Sequence, residues 1–113
     1  EDHMAGKFEI YKDKAGEFRF RLKAGNGETI LTGEGYKAKD GALNGIESIK
    51  KNAGDSSLFE VKEAKNGSSY FVLKAANHQV IGQSGMYSSA SACENGMKSV
   101  ATNAPDAAID EET

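Results

Sequence analysis

Phe20-Arg21-Leu22-Lys23-Ala24-Gly25-Asn26 returns 51 residues later as Phe71-Val72-Leu73-Lys74-Ala75-Ala76-Asn77. Outward from this pair, residues 8–53 align with residues 59–104 without a gap, and 16 of the 46 aligned pairs are identical. Phe8 matches Phe59, Gly16 matches Gly67 and Tyr36 matches Tyr87. Asn44-Gly45-x-x-Ser48 matches Asn95-Gly96-x-x-Ser99. A repeat of this kind fixes the architecture before any single residue is read. One such unit buries too little surface to stand alone, so the two copies are expected to share one core. The doubled positions are mostly apolar, Gly or Asn, which is the composition of a framework.

Each copy reads as three strands and a helix. Phe8 and Ile10 alternate with Glu9 and Tyr11, the pattern of a half-buried strand. After a turn at Lys14-Ala15-Gly16, Phe18, Phe20, Leu22 and Ala24 point one way and Arg19, Arg21 and Lys23 the other. Gly25-Asn26-Gly27 turns the chain again, and a third strand starts at Thr29–Thr32. From Asp40 the period becomes helical: Ala42, Gly45, Ile46 and Ile49 share one face. Asp40 is expected to cap this helix, and Asn52 or Gly54 to end it in a left-handed conformation. In the second copy, strands are expected at Leu58–Ala64, at Ser69–Ala75 and from Val80. Ser91-x-x-Glu94 has the form of a capping box. Ala92, Gly96, Met97 and Val100 form the buried face of the second helix. A Gly on such a face costs about 1 kcal/mol of helix propensity against Ala, so keeping it twice predicts close packing there.

The doubled Leu-Lys-Ala-x-Asn turn, with Tyr36 and Gly45-Ile46-x-Ser48 echoed at Tyr87 and Gly96-Met97-x-Ser99, closely resembles the YegP-like family of small bacterial tandem-repeat proteins. The resemblance covers nearly the whole chain. It implies a fold in which each three-strand-plus-helix unit is followed by a further strand, with the terminal strands exchanged within a single sheet. It implies no activity, because the family has no established biochemical function, and it carries over no site residues. The expected class is therefore α+β, with two tandem β-β-β-α(-β) repeats. They form one antiparallel sheet of pseudo-twofold symmetry, with both helices on one face and the other face open. The single domain spans residues 8–104. Residues 1–7 precede it as a leader whose Glu1-Asp2-His3-Met4 reads as a cloning remnant. Residues 105–113 follow as an acidic tail, in which Ala107–Ile109 can add a short edge strand.

The net charge of −3 conceals an uneven distribution. The first copy holds nine Lys/Arg against seven Asp/Glu and the second four against three, so the repeats together are +3. The ends and the linker hold Lys7 against seven acids. No apolar run approaches the roughly 20 residues that span a bilayer, and no membrane association is expected. A single cysteine, Cys93, forms no internal disulfide and fits a reducing cytoplasm. It aligns with Ala42, an inward helical position.

The candidate binding residues lie on the open face: Arg19, Arg21 and Lys23 on the second strand, with Tyr70 and Lys74 at matching places in the second copy. Basic and aromatic groups on a sheet can hold phosphates and stack bases, although charge on an exposed strand is also the ordinary way to solvate it. The doubled Asn26/Asn77 are read as turn residues. No acid, base or nucleophile pair stands at catalytic spacing, so no enzyme and no catalytic residue is expected. Gly25-x-Gly27 opens no helix and fails as a dinucleotide loop. His3 and His78 have no partner at metal-ligand spacing, so neither a metal nor a cofactor is expected. The leading expectation is a monomeric, non-enzymatic cytoplasmic binding or interaction module for an unknown protein or ligand. The alternative is a weak nucleic-acid or polyanion binder using the open face.

Overall fold

The computed structural model describes residues 6–111. The cloning remnant proposed at residues 1–4 lies outside them. Seven strands and two long helices follow in the order β1 Lys7–Lys12, β2 Phe18–Lys23, β3 Thr29–Thr32, α1 Lys39–Asn52, β4 Phe59–Glu63, β5 Ser69–Lys74, β6 Val80–Gln83, α2 Ala90–Asn103 and β7 Ala108–Glu111. A single 3-10 turn, Ser56–Leu58, joins α1 to β4.

The strands form one sheet in the order β4-β5-β6-β3-β2-β1-β7. A pseudo-twofold axis runs between β3 and β6, where Thr32 opposes Gln83 and its hydroxyl donates to the Gln83 carbonyl at 3.1 Å. Both halves even share an irregularity, between Leu22 and Lys23 in one and Leu73 and Lys74 in the other. Every pairing is antiparallel except β1–β7, which is parallel, so the sheet is mixed rather than purely antiparallel. The cause is the path of the chain. Helix α2 returns it to the end of the sheet where β1 begins, and Ala108 starts beside Lys7. What reads in sequence as an acidic tail therefore contributes the exchanged terminal strand, and its acids are engaged: Lys7 meets Asp110 at 3.4 Å and Lys39 meets Glu111 at 2.8 Å.

The core lies between the sheet and the helices. Phe8, Ile10, Phe20, Leu22, Phe71 and Leu73 supply it from the sheet, and Ala42, Ile46, Ile49, Cys93 and Val100 from the helices. Helix α1 packs on β2 but also on β5 and β6, and α2 packs on β5 but also on β3. Each helix thus bridges both copies. The Tyr36 ring stacks on Phe20 with centroids 6.2 Å apart, and Tyr87 stacks on Phe71 at the same distance. Both tyrosines are placed by backbone pairing, Tyr36 with Phe18 and Tyr87 with Ser69.

The helix ends differ from expectation. Ala38, not Asp40, is the N-cap of α1, with no side-chain cap. Ser89, not Ser91, caps α2 by accepting from the Ala92 N–H. Neither helix ends in a left-handed residue, since Ala53 and Ala104 at the C-caps are right-handed. Asn52 and Asn103 instead turn back to donate to the carbonyls of Ser48 and Ser99, each at 2.8 Å. At the strand turns, Asn26 and Asn77 accept from the N–H two residues on, at 3.0 Å. The positive φ falls to Gly27 and His78.

Candidate functional site

On the open face, the alternation that buries Phe20 and Leu22 presents Arg19, Arg21 and Lys23 outward, as expected. Each meets a carboxylate. The Arg19 Nε donates to Asp13 at 2.7 Å and the Arg21 Nε to Glu9 at 2.7 Å. Lys23 lies 3.4 Å from the same Glu9, and so does Lys7. Arg21 also lies over the Tyr11 ring, 4.5 Å from its centroid. In the second copy Lys74 pairs with Glu60 at 2.5 Å. Tyr70 sits half-buried, opposite Lys62 on β4.

Glu9 organises this face. It is 4% exposed and takes three cations around it. The hydrogen bond from Arg21 outweighs burial and holds its carboxyl below the ordinary range. Arg19 does the same for Asp13 and Lys74 for Glu60. The five candidates also fall into two groups. Three sit on β2, and Tyr70 and Lys74 on β5. Strands β6 and β3 intervene, so the groups stand three strand spacings apart, about 14 Å.

Val72, which takes the place of Arg21 in the second copy, is 3% exposed and gives the open face an apolar spot instead of a cation. Cys93 is buried, and burial pushes its thiol up, away from the thiolate form that reacts. Among the described residues, no group of three or more His, Cys, Asp or Glu side chains is placed to hold a metal ion.

A second feature lies at the β4 edge. An apolar groove of about 290 Å³ opens at the start of that strand, between Phe59, the 3-10 turn and the end of α1 on one side and Glu94, Met97, Lys98 and Ala101 of α2 on the other. The repeat shows why it is there. Phe8 and Ile10 on β1 are fully buried, and β7 runs alongside them. Their counterparts on β4 are Phe59, half-buried, and Val61, 47% exposed. No strand runs along the outer side of β4 among the described residues. Sequence reasoning missed this, yet the signal was present. Residues 54–58 leave five positions between the copies, too few to lay a strand beside β4 before becoming β4 itself.

The comparisons with known proteins place the whole chain. The model of a domain of unknown function (DUF1508) matches twice, over residues 13–60 and 64–111. The UPF0339 protein YegP of Escherichia coli K12 is 49% identical over 97% of this chain and 100% of its own length. A UPF0339 protein of Pseudomonas aeruginosa is 53% identical with the same coverage. The solution structure of the E. coli yegP protein, of unknown function, superposes with a TM-score of 0.93 at 48% identity, covering 100% of this chain and 97% of that one. That of a UPF0339 protein from Shewanella oneidensis gives 0.89 at 50% identity, covering 96% and 92%. The chain belongs to this tandem DUF1508 family, the YegP-like UPF0339 proteins, whose function is unknown.

Proposed function

We propose that the chain is a non-enzymatic interaction module of the cytoplasm that recruits a partner along the uncovered β4 edge. The observation that carries this reading is the contrast between two equivalent positions: Ile10 is fully buried and Val61 is 47% exposed. A strand edge with unpaired backbone groups is a template for another chain, and here an apolar groove accompanies it. Cytoplasmic residence is supported by the single, buried cysteine. No described helix is long and apolar enough to cross a membrane.

The alternative, a polyanion-binding open face, has less support. Arg19, Arg21, Lys23 and Lys74 each lie within 3.4 Å of a carboxylate of the same chain. A phosphate has to displace these acids before it is held. An oligonucleotide affinity that falls steeply with salt would favour this alternative.

The module reading is tested by affinity capture from the bacterial host, comparing wild type with Val61→Lys, a charge placed on the exposed edge. Wild type is expected to retain specific proteins that the variant loses, while both melt alike. Equal retention by both, or none above background, contradicts the reading.

A further inference from the structure

The molecule carries its own template for what the β4 edge accepts. The two copies follow the same path to Ala53 and Ala104, which end their helices with the same hydrogen bond, to Ile49 and Val100. They then diverge. The first copy turns directly into β4. The second lays β7 parallel to β1, with Ile109 beside Phe8 and packed on the core. By the internal symmetry, the space beside β4 is the seat that β7 fills at β1.

We infer that this seat binds an extended peptide segment of another protein, parallel to β4, with an aliphatic side chain set over Phe59 and Met97. This inference rests on the module reading above and names the chemistry of its partner. The groove, at about 290 Å³, is at the lower limit for small-molecule pockets. It opens at Phe59, where the uncovered β4 edge begins, and along such an edge a peptide gains backbone hydrogen bonds and seats alternate side chains.

Charge decides which segment fits. At β1 the acids of β7 are welcomed by Lys7 and Lys39, and Lys7 bridges Glu9 to Asp110. In the second copy the positions of Lys7 and Lys39 are held by Leu58 and Ala90, while Glu60 stands where Glu9 does. An acid in the Asp110 place would face Glu60, which Lys74 engages from β5, with no lysine in the Lys7 place to bridge the two acids. The seat therefore selects a segment with the apolar alternation of β7 but without its acidic pair. That disfavours β7 from a second copy.

The probe is a synthetic peptide of residues 105–113 carrying Asp110→Asn and Glu111→Gln, titrated to millimolar concentration into the isotopically labelled full chain and followed by amide NMR shifts. The expected result is saturable perturbation of Phe59, Val61, Glu63, Met97 and Ala101, with β1 and β7 unmoved. A further Ile109→Asp change in the peptide should weaken binding at least tenfold, and the unmodified acidic sequence should bind several-fold less tightly than the neutral one. The inference is overturned by an absence of saturable shifts on β4, by release of β7 from β1, or by β4 shifts that follow protein dilution rather than peptide. The last would make the edge a seam between two copies. Any of these outcomes leaves the capture experiment standing as a separate test of the module reading.

Discussion

Glu9 is the residue on which the open face turns. Because Arg21 holds its carboxyl below the ordinary value of 4.5, the folded chain favours its ionised form more than the unfolded chain does. Its contribution is therefore complete above about pH 4.5 and fades as pH falls through the lower folded value. Glu9→Gln should cost about 1–3 kcal/mol near neutral pH, because three cations lose their common acceptor. Denaturant melts of the two proteins should converge in acid. A difference that persists unchanged down to pH 3 refutes the role given to Glu9. The same geometry revises what the alternation of Arg19, Arg21 and Lys23 suggests. Their side chains avoid the core, yet reversing Arg21 to Glu would set two acids against each other on a buried site. The outward direction of these side chains was legible from period-2 spacing. Their acceptors were not, because Glu9 meets them across a strand pairing whose register depends on the turn at Ala15-Gly16.

At the level of elements, helix α1 is seated by a gap. The doubled Gly45 and Gly96 predicted a close approach, and the structure supplies its cause. A Cβ on Gly45 would stand 2.5 Å from the Tyr36 hydroxyl and 3.0 Å from the Phe20 ring. Gly96 faces Tyr87 and Phe71 in the same way. The repeated Gly makes room for the repeated Tyr, whose hydroxyl lies against the helix backbone. Gly45→Leu should therefore destabilise by about 1–3 kcal/mol through overpacking, although Leu is the better helix former. A higher denaturation midpoint for the variant would refute the seating. The face of α1 was legible because its four inward residues repeat at helical spacing. The caps were less so: Asp40 and Ser91 have the right chemistry, but Ala38 and Ser89 take the N-cap positions, each shortly after a Tyr that pairs with the start of β2 or β5.

For the whole molecule, the repeat foretold a shared core, and the structure shows how the sharing is done. The helices reach across the midline to β5, β6 and β3. A Cβ on Gly82 of one copy would strike Leu31 of the other. Strand β7 completes the edge of the copy it does not belong to. A short edge strand at Ala107–Ile109 was legible in the sequence, but its exchange onto the other copy came from family resemblance, since four residues do not say which edge they join. The uncovered β4 edge went unread, because it follows from a linker length considered only against the topology. The direct test of this shared architecture is the solution state of residues 1–54 expressed alone. That fragment lacks β6 and β7 and the second half of the core. It should be disordered, or should self-associate to replace the missing copy, in hydrodynamic and thermal-melting measurements. A monodisperse monomer that melts cooperatively would contradict the account.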